Sequence, residues 1–150
     1  MEISIRQAVS DDRDRIVLFN QAMARETEGR ELDRRTLTAG VEAILGNPSL
    51  GSYFVAEVEG EVAGQVMVTR EWSDWRNAPV WWLQSVYVSK RRRRLGIYRL
   101  LHRHVRECAM AEKAVGLRLY VERDNVAAQA TYRTLGMETS SYLMFQEMWG

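Results

Sequence analysis

The chain is poor in several things, and each shortage removes a class of function. It has a single cysteine, Cys108, so no disulfide can close within it and no thiolate cluster can hold a metal. A lone thiol suits a reducing compartment. Its two histidines, His102 and His104, stand two apart, which on a helix sends them to different sides and leaves them ill-placed to chelate one ion. We therefore expect no metal. No apolar run approaches the roughly 20 residues that span a bilayer, and the opening MEISIR lacks the apolar stretch of a signal peptide. The expectation is a cytoplasmic protein with no membrane partner. Charge of either sign is not in excess, the formal net being +1, so any affinity for phosphate must come from local clustering.

What is present is the material of an ordinary folded protein. The 150 residues, 46% hydrophobic and 27% charged, suggest one domain over 1–150, long enough to bury a core without staples. Ile3 to Val9 reads as a strand, and Ser10-Asp11-Asp12 as a helix start with acids at the positive end of the dipole. Ile16, Phe19 and Met23 recur at helical spacing to about Glu26. Asp33 can cap a second helix carrying Leu37, Val41, Ile44 and Leu45, stopped by Gly46-Asn47-Pro48. The period then changes. Tyr53–Val58 and Val62–Thr69 predict a hairpin around Glu59-Gly60-Glu61. Trp72 to Pro79 reads as a connection, Val80–Val88 as a strand, and 97 to about 112 as an amphipathic helix. Leu117–Val121 predicts a strand, Asn125–Leu135 a helix ended by Gly136, and Ser141–Met148 a closing strand. The order implies an α/β class, a mixed sheet flanked by helices.

The strand-to-helix junction after Val88 draws attention. Five cations, Lys90 to Arg94, precede Gly96 at a predicted helix start. A helix N-terminus offers outward N–H groups and partial positive charge, and glycine lets a phosphate approach the backbone. On charge alone, a solvated loop or a nucleic-acid patch fits equally well. The P-loop pattern GxxxxGK(S/T) and the dinucleotide pattern GxGxxG are both absent.

The stretch VYVSKRRRRLGIYRLL resembles the acetyl-CoA signature of the GNAT superfamily of N-acetyltransferases, Gln/Arg-x-x-Gly-x-Gly/Ala. Arg93, Arg94, Leu95, Gly96 and Ile97 match it, whereas Tyr98 stands where a small residue is usual. Downstream, Asn125 to Met137 resembles a second family segment, with Met137 in place of the usual Phe. By themselves Asn125 could be an N-cap and Tyr132 a core aromatic; the two motifs in order carry the resemblance. It implies a GNAT-like fold, a mixed and mostly antiparallel sheet of about six or seven strands flanked by about four helices. It also implies acetyl-CoA as co-substrate, contacted by Val86, Tyr87 and Val88 on the strand, by Arg93, Arg94, Leu95, Gly96, Ile97, Tyr98 and Arg99 at the helix start, and by Asn125, Ala128 and Tyr132 downstream.

That resemblance implies direct transfer of acetyl to an amine. Backbone N–H groups of the Val86–Val88 strand, splayed from the next strand, would meet the developing oxyanion, and Tyr132 matches the donor to the leaving thiolate. Many relatives place a glutamate on the preceding strand. The matching residue here is Gln84, which takes no proton at neutral pH. Glu26, Glu28 and Glu31 lie between the first two helices, where relatives form part of the acceptor site, and Glu26 or Glu28 is the expected contact for the acceptor amine. Cys108 falls on an apolar stripe and reads as packing; Trp72 and Trp75 could wall an acceptor pocket or serve no ligand. Two other readings stay open: an acyl-CoA sensor without catalysis, and a nucleic-acid module using Lys90–Arg94, which the shortness of the run and the lack of interleaved aromatics oppose. The acceptor, a small-molecule or peptide amine, is not specified by sequence. Homodimerisation through the last strand is also open.

Overall fold

A computed structural model describes all residues, 1–150, and the chain forms two compact units, Met1–Tyr120 and Val121–Gly150. The first is built on a five-stranded sheet: β1 (Ile3–Gln7), β2 (Ser52–Val58), β3 (Glu61–Ser73), β4 (Ala78–Val88) and β5 (Leu117–Arg118), in the order β1-β2-β3-β4-β5. The first four pair antiparallel, and β4 pairs parallel with β5. The sheet is mixed and mostly antiparallel, as expected, but has five strands rather than six or seven. Helices α1 (Arg13–Glu28), α2 (Arg34–Gly46) and α3 (Ile97–Ala111) belong to this unit and α4 (Val126–Thr134) to the second.

Local chemistry explains these elements. Gly29 closes α1 in the left-handed region, φ +62°, and the Asp33 carboxylate accepts the Thr36 N–H at 2.9 Å to cap α2. Glu59 and Gly60 both have positive φ, 53° and 77°, which is the two-residue turn that joins right-twisted strands. At its far end β3 runs further than expected because it pairs with β4 as far as Ser73 opposite Ala78, so that Trp72 lies on the strand and not in the connection.

Side-chain alternation sorts the two faces of the sheet. Phe54, Ala56, Val58, Val66, Val68, Trp81 and Leu83 form one buried cluster with Ile97, Leu101, Val105 and Ala109 of α3. Tyr53 joins Ile16 and Val17 of α1 and Val41 of α2 on the other face. Cys108 packs against the α3 cluster, where burial, Glu112 and Glu107 push its thiol pKa up. Both imidazoles also pack: Tyr98 meets His102 edge-on, and Phe54 meets His104.

Two expected strands differ. Leu117–Val121 is a ladder only at Leu117 and Arg118, opposite Trp81 and Trp82. Ser141–Met148 makes no strand pairing at all. β-forming composition favours extended backbone, but a strand exists only where a neighbour completes its hydrogen bonds. No helix is long and apolar enough to cross a membrane.

Candidate active site

The site is organised by an irregularity in β4. Gln65 on β3 pairs with Tyr87, yet Met67, two residues on, pairs with Gln84. Ser85 and Val86 therefore oppose one residue, a β-bulge. Ser85 takes a positive φ of 49°, uncommon for a residue with a side chain. Gln65 holds the bulge from below: it is fully buried, and its amide donates to the Ser85 carbonyl at 3.0 Å. The Gln65 Oε1 is buried without a partner. Beyond Trp82, β4 has no pairing with β5. The ladder thus gives Leu83 to Val88 no β5 partner on that edge, where the family resemblance implies a splay.

The chain leaves this open edge for the basic junction. Lys90–Arg92 makes a single tight 3-10 turn. Arg94 and Gly96 both adopt positive φ, 66° and 79°, and α3 begins at Ile97. The Leu100 N–H reaches the Gly96 carbonyl at 3.2 Å. Amides ahead of it precede the first helical bond and point out of the helix end. A Cβ built on Gly96 would meet nothing within 4 Å, so the space before the helix is clear. The Tyr98 ring turns away along the helix, its hydroxyl 3.5 Å from His102 Nδ1, which reconciles a tyrosine with a small-residue position.

α3 is seated against the sheet by Gly64 on β3. A Cβ there would lie 3.1 Å from Ile97 Cγ2 and 3.2 Å from the Tyr87 carbonyl. The missing side chain lets the helix start approach β4.

The cations are not a uniform solvated run. Arg91 pairs with Glu61 at 3.2 Å, Arg92 with Glu59 at 3.3 Å and Arg93 with Glu26 at 2.8 Å. Arg93 also donates to the Val88 carbonyl at 2.9 Å and lies over the Tyr87 ring. Tyr87 in turn donates its hydroxyl to Glu26 at 2.6 Å. Expected site residues from α1, β4 and the signature thus meet in one cluster. Burial would raise the Glu26 pKa, but hydrogen bonds from Tyr87 and Arg93 and the charges of Arg93 and Lys90 hold it below the ordinary carboxylate value. Burial, and then the Glu26 contact, push the Tyr87 phenol up to about 12. Glu28 is not part of this cluster; its nearest cation is Arg30, at 3.8 Å.

Gln84 donates to Thr69 Oγ1 at 2.6 Å. Further along the same strand pair, Trp82 Nε1–H and Arg118 both bind the Glu71 carboxylate, at 2.7 and 3.2 Å, with Tyr120 tilted against Trp82. Neither Gln65 nor Glu71 stands out in the sequence, because each acts through strand register that no local motif encodes. Trp72 and Trp75 are 62% and 87% exposed.

In the second unit, Asn125 Oδ1 accepts the Ala128 N–H at 3.2 Å and caps α4. Tyr132 is half-buried on that helix, and burial raises its phenol pKa.

Comparison with known proteins places this architecture. The sequence profile of the Acetyltransferase (GNAT) family matches residues 15–137. A possible acetyltransferase from Clostridium difficile 630 is 45% identical, covers 99% of both chains and superposes with a TM-score of 0.92. Two more distant structures share the fold alone. One is a predicted acetyltransferase from Clostridium acetobutylicum, solved with acetyl-CoA, at 15% identity and a TM-score of 0.80, covering 97% of this chain and 96% of that one. The other is AAC(6')-Iy in complex with the bisubstrate analogue CoA-S-monomethyl-acetylneamine, at 17% identity and a TM-score of 0.78 with both chains fully covered. No curated protein sequence matches this one. A profile spanning most of the chain, and a relative of this identity along its whole length, agree with the bulged strand and glycine-led helix: the chain belongs to the Acetyltransferase (GNAT) family.

Proposed function

We propose that the protein transfers acetyl from acetyl-CoA directly to a primary amine, all 150 residues serving as one acetyltransferase domain. The observation that carries the reading is the junction itself, an unpaired β4 edge running into a helix start led by Gly96 in the left-handed region. Helix-end amides and the neighbouring Arg94 and Arg99 suit a pyrophosphate. The exposed edge of β4 suits pantetheine, which can add to it as a strand would. Amides of Val86 to Val88 can meet negative charge developing on the thioester oxygen. Asn125, Ala128 and Tyr132 keep the roles their positions have in the family, Tyr132 returning a proton to the sulfur.

The cluster at Glu26 refines the acceptor side. A carboxylate held ionised by Tyr87 and Arg93 is a weak base but a good anchor for an ammonium, and we assign Glu26 that role, with Glu28 two residues on at the end of α1. Gln84 cannot accept the proton, which leaves that step to a water chain or to a carboxylate from elsewhere in the chain.

The direct route predicts intersecting initial-velocity lines when acetyl-CoA and an amine are varied together. Thiol release measured across small amines, aminoglycosides, amino acids and peptides is the experiment. Parallel lines, or an acetylated protein trapped without acceptor, would overturn direct transfer. Tight acetyl-CoA binding without release on any amine would favour the sensor reading, which Gln84 keeps in view.

A further inference from the structure

The bulge in β4 holds a strained residue, and such strain persists only where the surroundings over-determine it. Ser85 carries a side chain at φ +49°, a conformation that a Cβ disfavours. Glycine would take it freely, so a serine there must be held. Gln65 holds its carbonyl. The rest of the brace comes from β2 and α1, two elements that do not pair with β4.

Tyr53 lies on β2, with β3 between it and the bulge. It is 4% exposed and packs with Ile16, Val17 and Val41. A hydroxyl buried among such neighbours must find partners. The Tyr53 hydroxyl accepts from Asn20 Nδ2 at 3.3 Å and shares a hydrogen bond with the Ser85 side chain. Burial pushes its phenol pKa up, against the pull of those two bonds, so it stays a neutral hydroxyl near neutral pH. Asn20, equally buried at 4%, is fixed in turn within α1, its amide donating to the Ile16 carbonyl at 3.0 Å.

The polar line from Asn20 through Tyr53 to Ser85 thus crosses an otherwise apolar layer. Stability does not account for it. A buried polar pair replaced by apolar groups of the same shape is often neutral or stabilising. Position does account for it. Directly after Ser85 come the Val86 to Val88 amides aimed, in the functional reading, at the thioester oxygen. At the other end of the line, α1 also carries Glu26, so one helix braces the bulge and presents the acceptor anchor.

We propose that Tyr53, held by Asn20, is a positioning residue for acetyl transfer: it pins the Ser85 side chain and thereby fixes the direction in which the following β4 amides point. Both residues are buried, so neither touches a ligand itself. Oxyanion donors act by being preorganised, and a misplacement of roughly 1 Å can cost about a hundredfold in rate. The proposal rests on β4 being the acetyl-CoA strand and adds the residues that keep that strand in shape.

Acetyl-CoA labelled with carbon-13 at the thioester carbonyl tests it without an acceptor. Hydrogen bonds from well-aimed amides move the carbonyl resonance downfield when the wild type binds it. Tyr53→Phe keeps the ring and removes only the hydroxyl. The expected result is nearly unchanged acetyl-CoA affinity and melting temperature, with the bound resonance returned at least halfway to its free position. The backbone amide shifts of 85–88 should change with it. Asn20→Leu should act in the same direction and serves alone if Tyr53→Phe folds poorly. Ser85→Gly supplies a background in which the backbone needs no brace, and there Tyr53→Phe should have no further effect. A bound carbonyl that keeps its wild-type resonance in both variants would overturn the proposal. So would a Tyr53→Phe effect equally large in the Ser85→Gly background. Absence of acetyl-CoA binding by the wild type is a separate outcome, which sinks the functional reading itself.

Discussion

At the scale of single residues, Arg93 is the pivot. It bonds the end of β4 through the Val88 carbonyl and α1 through Glu26, and it sits at the first position of the signature. Removing it with Arg93→Ala leaves Glu26 under the influence of burial with one hydrogen bond fewer, so its pKa should rise. Carboxyl titration by NMR checks this, and an unchanged pKa would refute the pairing. The sign of the pH effect follows from the depressed pKa. Stabilisation from Glu26 is complete above the ordinary carboxylate range and is lost as pH falls through the lower folded-state value. Glu26→Gln should therefore flatten the acid limb of stability against pH, leaving the profile near neutrality parallel to wild type. Gly96→Ala asks a separate question. Space exists for the methyl group, so the penalty is conformational, about 1–2 kcal/mol for a left-handed residue with a Cβ. We expect a lower melting temperature and weaker acetyl-CoA binding. Unchanged values for both would mean the helix start does not depend on glycine.

At the scale of elements, the bulge in β4 and the bare face of Gly64 do the positioning. Gln65→Leu removes the donor to Ser85 and, with it, an acceptor buried without a partner. These effects on stability oppose each other, since a polar group buried unsatisfied is itself costly. The expected outcome is a melting temperature changed by a few degrees at most and kcat reduced about a hundredfold, the loss that a misplacement of roughly 1 Å can cause. A bulge that kept its amide chemical shifts from Leu83 to Val88 in this variant would refute the role of Gln65. Elements of this kind separate what sequence reveals from what it conceals. The Asp33 cap, the Gly29 and Gly60 turns and the α3 stripe were legible because each is set by neighbours in sequence. Gly96 was legible because its place before an amphipathic helix is local too. The bulge at Ser85 was not, because it arises from a register mismatch with Gln65 and Met67, twenty residues upstream. The Tyr87–Glu26–Arg93 cluster was hidden likewise, its members being paired by the packing of α1 across β4. The strand expected at Ser141–Met148 failed for the complementary reason: its composition is right, but no neighbouring strand completes it within one chain.

For the whole molecule, ligand binding should register as stability. A ligand that binds only the folded state stabilises it by RT ln(1 + [L]/Kd), about 2.7 kcal/mol at a hundredfold excess over Kd. In a chain of this length each kcal/mol moves the melting temperature by roughly 2–4 °C. Saturating acetyl-CoA should therefore raise it by about 5–11 °C, and high salt should shrink the gain, because part of the anion's affinity comes from exposed arginines. A melting temperature that acetyl-CoA in hundredfold excess leaves unchanged would overturn the cofactor reading.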